Sequence, residues 1–213
     1  MKLLRHLITV LFLFVTITAT AHDDDYWNKR WSITPSLGLG CSSWLGEHYS
    51  DFDLGFAWRI GALAEYSFNK TWSISSGLNI LSMNTKSNYV SINNVHMERT
   101  TFNQVYLDIP VLCGTRIKIS DKFNLLLKYG AYLDFGIGGK TKFRNRITYS
   151  INTFDLVTST DLGLDLRVYL ELNDVVFGIE THNGLRKLFK DPDATNGANL
   201  VSIGYRFGID KKH

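Results

Sequence analysis

The residues with the best spacing for catalysis are Glu180 and His182, which stand two positions apart in a segment of alternating polar and apolar residues. Residues two apart in a β-strand lie on the same face, so this carboxylate and imidazole would be neighbours. A site like that of a lipid A deacylase also needs a serine beside the histidine on that face. The corresponding position is Gly184. We therefore predict that His182 and Glu180 form an interior pair and that the protein is not an enzyme.

No second constellation in the sequence predicts chemistry. His48 and His96 lie in predicted loops, and neither has another ligand at the spacing of a metal site. The two cysteines, Cys41 and Cys113, are too few for a disulfide framework. A glycine-rich phosphate loop and the CxxC and HExxH motifs are also missing from the sequence. We predict no catalytic residue, no metal and no cofactor.

The first residues match the pattern of a cleaved secretory signal peptide. Lys2 and Arg5 form a positive region, an apolar run follows, and Ala19-Thr20-Ala21 has the small-x-small pattern of a cleavage site. The alternative, an uncleaved helical anchor, would need about 20 apolar residues. Removing Lys2 and Arg5 reduces the 23 basic residues to 21 against 20 acidic ones. The resulting net charge near +1 predicts no nucleic-acid partner.

After residue 30 the sequence has the period of β-strands and no sustained helical period. Aromatic and β-branched residues fill eight segments, and Gly, Asn and Asp stand between them. Each segment is long enough to cross a bilayer as a tilted strand, which takes roughly 9–11 residues. The predicted strands are 30–41, 54–68, 71–85, 101–119, 122–139, 154–172, 174–184 and 198–209.

Short and long connections alternate between these strands. The short ones are "FNKT", "ISDK" and "ELNDV", and the long ones are 42–53, 86–100, 140–153 and 185–197. The sequence therefore predicts an all-β fold, an eight-stranded antiparallel up-and-down transmembrane β-barrel with short periplasmic turns and four long extracellular loops. The predicted parts of the chain are a signal peptide (1–21), a short periplasmic N-terminal segment (22–30), the outer-membrane β-barrel (31–209) and a periplasmic tail (210–213).

On the predicted strands 54–68, 122–139 and 154–172, one face is apolar over a membrane thickness, whereas the other mixes charged residues with Tyr and Gly. An apolar face this broad does not fit inside eight strands, so we predict that it faces lipid and that the charged face lines the lumen. Charges of mixed sign in a narrow lumen are expected to pair, although a narrow conducting path is the alternative. The predicted interior charge network comprises Arg59, Glu65, Asp108, Arg116, Lys118, Lys128, Asp134, Asp161, Asp165, Arg167, Glu171, Glu180, His182 and Arg206.

Aromatic residues predict two girdles at the membrane interfaces. The girdle near the periplasmic ends contains Tyr26, Trp27, Trp31, Phe68, Trp72, Phe123 and Phe207. The girdle at the other rim contains Trp44, Phe52, Phe56, Trp58, Phe102, Phe135 and Phe154.

A basic stretch in the third long loop is a candidate contact for lipopolysaccharide. Lys140, Lys142, Arg144 and Arg146 stand at a period of two, so all four project from one side if the preceding strand continues above the membrane. Lysine and arginine pair well with phosphate groups, which lie at that level in lipopolysaccharide. The alternative is a solvated loop.

Several stretches together resemble the PorT-like outer-membrane β-barrel family of Bacteroidota. They are "YLDIPVLCGTRI" (106–117), "LLLKYGAYLDFGIGGKTKF" (125–143), "DLGLDLRVYL" (161–170) and "LVSIGYRFG" (200–208), and the resemblance extends over 31–209. The resemblance implies an outer-membrane barrel, and some members of the family are linked to protein secretion. The alternating aromatic residues of the last strand are similar to the signal that the barrel insertion machinery reads.

The sequence thus favours a non-enzymatic outer-membrane protein that anchors, scaffolds or contacts an unidentified envelope protein. A narrow channel for small solutes and a lipid-modifying enzyme are the two alternatives. The expected partners are outer-membrane lipid, lipopolysaccharide and, during biogenesis, the insertion machinery.

Overall fold

The computed structural model describes residues 30–46, 52–92, 95–120, 123–144, 148–189 and 194–209. The predicted signal peptide, the segment up to residue 29 and the tail 210–213 lie outside these residues. The described residues form strands β1 (Trp31–Leu45), β2 (Phe52–Ser67), β3 (Trp72–Ile92), β4 (Val95–Lys118), β5 (Phe123–Gly138), β6 (Lys140–Arg144), β7 (Thr148–Asn152), β8 (Thr160–Leu172), β9 (Val175–Gly184), β10 (Thr195–Tyr205) and β11 (Phe207–Ile209). In this part of the chain we find no helix with the length and hydropathy to span a membrane.

Eight of the strands close into one antiparallel barrel, which confirms the predicted fold class. The hydrogen-bonded order is β3-β2-β1-β10-β9-β8-β5-β4, and the pairing of β3 with β4 completes the ring. β11 continues the line of β10 and also pairs with β1. Closure gives each of the eight strands two hydrogen-bonded neighbours, which is the condition for placing a sheet in lipid.

The two ends of the barrel differ, as the alternating connections predict. At one end, here called the turn end, short connections link β2 to β3, β4 to β5 and β8 to β9. The last of these is a two-residue turn, in which Asn173 has a φ of 55°. Asparagine tolerates this left-handed conformation better than most residues. The opposite end is called the loop end.

At the loop end, strands replace much of two predicted loops. β3 and β4 continue to Ile92 and Val95, so the predicted loop 86–100 is largely an extended hairpin. The predicted loop 140–153 contains β6 and β7, and β6 pairs with β4 at Thr100 and Thr101. We call the loop-end parts of β3 and β4, together with β6 and β7, the outer sheet.

The predicted strand 154–172 is wrong at its start, because β8 begins at Thr160. Residues Thr153–Asp155 form a turn of 3-10 helix. The side chain of Asn152 caps this turn by accepting a hydrogen bond of 3.2 Å from the Phe154 backbone, and capping of this kind competes with strand pairing. The chain therefore turns inward over the barrel instead of continuing the sheet.

The barrel is apolar outside and charged inside, as predicted. On β8, Leu162 and Leu164 are 51% and 55% exposed, whereas the alternate residues Asp161 and Asp165 are each 1% exposed. The same alternation appears on β4, where Val111 is exposed and its neighbour Leu112 is buried. A water-soluble barrel would show the reverse, so this surface is the one expected to face lipid.

Three of the predicted girdle residues lie inside the barrel instead. Trp44 and Phe102 are buried and in contact, with ring centroids 4.3 Å apart, and Phe154 packs partly buried beside them. Phe102 shares its strand face with Asp108, so the alternation itself placed it inward. The cluster they belong to closes the loop end, and we call it the apolar cap. Its members are Trp44, Phe102, Val157, Leu188, Phe189 and Ala194, with Phe154 and Leu156 packed against them.

Candidate functional site in the charged lumen

The inward faces of the strands bring the predicted charges together in two groups. The loop-side cluster lies beneath the apolar cap and contains Arg59, Asp108, Asp134, Asp161, Asp165, Arg167, Glu180 and His182. The turn-side cluster lies nearer the turn end and contains Glu65, Arg116, Lys128, Glu171 and Arg206. Strand alternation is sufficient to place all of these side chains in the lumen.

Arg59 is the central residue of the loop-side cluster. Its Nη1 donates to Glu180 Oε2 at 2.5 Å, and its Nη2 lies 2.8 Å from His182 Nδ1. Nη2 also lies 3.5 Å from Asp165 Oδ2, while Nε lies 3.4 Å from Asp108 Oδ2. These partners come from β4, β8 and β9, so one side chain of β2 joins strands on opposite sides of the barrel.

His182 is fully buried and both of its ring nitrogens are engaged. A guanidinium has only donors, so Nδ1 accepts from Arg59, and we assign the ring proton to Nε2. Nε2 then donates to Asp134 Oδ2 at 3.1 Å. The ring also stacks on Tyr132, with centroids 3.5 Å apart. In this arrangement the imidazole has no free lone pair with which to act as a general base.

The position that would carry a serine nucleophile is occupied by a glycine that packs against a carboxylate. A Cβ added to Gly184 would lie 2.6 Å from Asp161 Oδ2, which is closer than real Cβ atoms approach. A side chain here would therefore displace the Asp161 carboxylate, to which Asn196 donates at 2.9 Å. The arrangement can hold charges in fixed pairs, but it does not supply the nucleophile and base of acyl hydrolysis.

Three aspartates form a row across adjacent strands. Asp108 pairs directly with Asp134, and Asp134 pairs directly with Asp161. Like charges directly opposite one another destabilise a sheet, and each carboxylate accordingly has a donor. Asn79 donates to Asp108 at 2.8 Å, and Asn196 donates to Asp161 at 2.9 Å. Among the described residues, no group of three or more His, Cys, Asp and Glu side chains is arranged to hold a metal ion.

Sequence reasoning missed the two asparagines of this row. Asn79 and Asn196 are uncharged, and a search for charged or metal-ligating residues passes over them. Their inward positions follow from strand alternation once the register is known, since Asn79 pairs directly with Asp108. Asn79 had a signal in the sequence, because it stands on the polar face of the predicted strand 71–85, whereas Asn196 lies in the predicted loop 185–197 and had none.

Arg167 completes the loop-side cluster. Its Nε and Nη2 donate to the two oxygens of Asp165 at 3.2 and 2.6 Å. This fork geometry is specific to arginine and a carboxylate. The hydroxyl of Tyr169 also donates a hydrogen bond of 2.6 Å to Glu180 Oε1. The charges are therefore held by paired contacts and polar neighbours.

The turn-side cluster is a second ion-pair network. Glu65 lies 2.5 Å from Lys128 Nζ and 3.1 Å from Arg206 Nη2. Glu171 lies 3.2 Å from Arg116 Nε and 3.3 Å from Arg206 Nη1. Three cations thus share two carboxylates, and the cluster holds one net positive charge.

Lys118 departs from its predicted interior position. It is the last residue of β4 and its side chain is exposed at the turn end. A long lysine side chain at the end of a strand reaches water without crossing the lumen.

The four basic residues of the third loop are only partly described. Lys140 and Lys142 lie on β6 with exposed side chains. Arg144 ends β6, but its side chain and the whole of Arg146 lie outside the described residues. The proposed role of these residues in binding lipopolysaccharide stays a prediction.

The middle of the lumen is closed to water. Every member of the loop-side cluster is at most 2% exposed, so these side chains leave almost no surface that water can reach. Two cavities lie nearer the turn end and share Glu65, Leu126 and Lys128 among their lining residues. Water therefore has access from the turn end only as far as the turn-side cluster.

A family model described as "outer membrane protein beta-barrel domain" matches residues 19–190. No curated protein sequence matches the chain. Among solved structures, Ail, the attachment invasion locus protein of Yersinia pestis, is similar at 18% identity and a TM-score of 0.40, covering 83% of this chain and 98% of Ail.

Two further solved structures are similar in fold. Neisserial surface protein A has 10% identity and a TM-score of 0.45, covering 83% of this chain and 97% of its own. The N-terminal β-barrel domain of Pseudomonas aeruginosa OprF has 10% identity and a TM-score of 0.35, covering 84% and 98% respectively.

Replacing Arg59 by methionine is expected to lower the free energy of unfolding by about 3–5 kcal/mol, because the substitution leaves buried carboxylates without their cation. The double variant Arg59→Met with Glu180→Gln should recover part of that loss, because one of the carboxylates left without a cation is then replaced by a neutral amide. Urea unfolding in lipid vesicles, followed by tryptophan fluorescence, measures both.

The matched control for this experiment is Arg186→Met, which removes the same group from an exposed position at the loop end. Its unfolding free energy should change by no more than about 1 kcal/mol. Equal losses for the Arg59 and Arg186 variants would contradict a central role for Arg59.

Proposed function

We propose that this chain, which belongs to the outer membrane protein beta-barrel domain family, is a non-conducting, non-enzymatic anchor for an envelope partner. Family membership makes it an outer-membrane β-barrel protein. The short turns of such barrels face the periplasm and the long loops face outward. On that orientation the turn end is periplasmic, and the outer sheet stands outside the cell.

The observation that carries the proposal is the burial of the loop-side cluster. A conducting path needs a continuous column of water, yet each of these charged side chains is at most 2% exposed. Opening the path would require the separation of Arg59 from the carboxylates of Asp108 and Glu180. Leaving buried charges unpaired in this way costs several kcal/mol per ion. The apolar cap then closes the lumen a second time at its outer end.

The length of two strands supports the anchoring role. β3 has 21 residues and β4 has 24, whereas roughly 9–11 residues cross a bilayer. About half of each strand is therefore available beyond the membrane, where β6 and β7 widen it into the outer sheet. A barrel that only crossed the membrane would need none of this structure, so we assign the outer sheet to contact with an envelope partner.

The geometry around His182 supports a non-enzymatic role. Both ring nitrogens are committed to Arg59 and Asp134. Gly184 stands where the serine of a deacylase-like site would be, and a side chain at that position would displace the Asp161 carboxylate. An enzyme would need a reactive group that water and substrate reach, and this cluster is buried from both.

In planar lipid bilayers the purified protein is expected to give no stepwise conductance, because the lumen is filled. The positive control is a water-filled porin reconstituted in the same bilayers. It should conduct and so prove that the measurement detects an open lumen. Stable steps from the wild-type protein would establish the channel alternative instead.

Overexpression in a Gram-negative host is expected to leave the mass of lipid A unchanged, since the described residues place no nucleophile beside His182. Mass spectrometry of extracted lipid A checks this, with His182→Ala as the comparison. A mass change that appears with the wild-type protein and disappears with His182→Ala would show a lipid-modifying enzyme.

The resemblance of residues 106–117 and 125–143 to PorT-like proteins extends the proposal to protein secretion. Deleting the gene in the native organism is then expected to reduce the amount of exported protein in the culture medium. Quantitative proteomics of the medium measures this, with the complemented strain as control. An unchanged secreted proteome would remove the secretion role while leaving the anchor standing.

A further inference from the structure

We propose that three lysines on the outward face of the outer sheet, Lys86, Lys140 and Lys142, form a binding site for the phosphate groups of lipopolysaccharide in the outer leaflet. The inference rests on the proposed orientation, in which the loop end is extracellular. It gives the outer sheet a ligand class, an anionic phosphorylated lipid, in addition to its proposed protein partner.

Strand pairing brings two of these lysines onto one face although they are far apart in sequence. Lys86 of β3 pairs with Thr101 of β4, and Thr101 pairs with Lys142 of β6. Directly paired residues point to the same side of a sheet, so the two ammonium groups share a face. They are two strand spacings apart, about 10 Å at their backbones. Lys140 stands two residues before Lys142 on the same face, about 7 Å away.

The opposite face of the outer sheet is buried, which fixes the direction in which the lysines point. The residues next to the lysines on their strands, or next to their strand partner Thr101, point to that face and are buried. They are Thr85, Thr100, Thr141 and Phe143. The side chains of Lys86, Lys140 and Lys142 are exposed. The outer sheet therefore cannot rotate its basic face away from the membrane surface without losing this packing.

The basic face begins where the apolar surface of the barrel ends. Along the outward face of β4, Val105 is followed by the polar Asn103. Val105 pairs with Gly138, so Lys140 lies two residues farther out, about 7 Å along the strand. The headgroup region on each side of the hydrocarbon core is roughly 5–8 Å thick. Lys140 thus lies at the level of the lipid headgroups. Lys142 lies farther out, and its long flexible side chain can extend back to the same level.

The charge on this face suits an anion. Among the described residues, no ion pair or hydrogen bond holds the side chains of Lys86, Lys140 or Lys142. One carboxylate, that of Asp53, is in the same row because it pairs with Lys86. Counting only the side chains that the structure describes, the face has three positive charges against one negative charge. Ammonium groups beside a layer of lipid phosphates attract those phosphates electrostatically.

The test is a binding titration of the full mature protein in detergent with purified lipopolysaccharide. The triple variant Lys86→Gln, Lys140→Gln and Lys142→Gln is expected to bind at least roughly tenfold more weakly than wild type at low salt. Lipopolysaccharide treated with phosphatase should lose most of its affinity for the wild-type protein and little for the variant. Heat-modifiable migration on gels confirms that each variant is folded.

The matched control removes three positive charges at the turn end, through Arg30→Gln, Lys70→Gln and Lys118→Gln. Its affinity is expected to stay within about twofold of wild type, because these residues lie at the periplasmic end. The proposal would be overturned if the triple lysine variant bound lipopolysaccharide as tightly as wild type, or if the control variant lost as much affinity as the lysine variant. It would also be overturned if the wild-type protein bound dephosphorylated lipopolysaccharide as tightly as the untreated lipid. Conductance by the wild-type protein would overturn the proposed function and leave this binding result standing.

Discussion

Turning the apolar face of every strand outward leaves the polar face of every strand with no place except the lumen. Eight strands enclose a space that side chains fill, so the charges there cannot remain hydrated. Each must find a partner or destabilise the barrel. The paired networks around Arg59 and Glu65 follow directly from this constraint. Because the apolar residues of each strand face lipid, the charged residues that alternate with them face the lumen.

The pairing within the lumen connects strands that the sheet itself does not connect. β2 and β8 are separated by three strands along the ring, yet Arg59 reaches Asp165 across the interior. The hydrogen-bonded ladder holds each strand to its neighbours, whereas these ion pairs hold opposite walls together. Arginine suits this position because its planar group offers several donors in fixed directions.

The two ends of the barrel serve different purposes in the proposed function. At the periplasmic end, cavities bring water as far as Lys128 and Glu65. At the extracellular end, the apolar cap seals the lumen and the outer sheet rises above it. A sealed lumen separates the interior from whatever binds outside, so the outer sheet can contact lipid or protein without opening a path through the membrane.

The barrel, its strand faces and nearly all of its interior charges can be predicted from the amino-acid sequence. These features depend on a period of two and on connection lengths, both of which are local. The pattern that buries Leu112 and exposes Val111 needs no knowledge of other strands. The pattern failed at Lys118, because the end of a strand gives a long side chain access to water.

The contacts between distant segments depend on the three-dimensional arrangement of the strands. The apolar cap joins Trp44 to Phe102 and Phe189, and the outer sheet places Lys86 on the face of Lys142. Both depend on strand register and on the turn that Asn152 caps. Register is set by the pairing of whole strands, and a side-chain cap competes with strand pairing over a few residues. Neither contribution leaves a periodic signal in the sequence, so the fold was predictable and the shape of its outer surface was not.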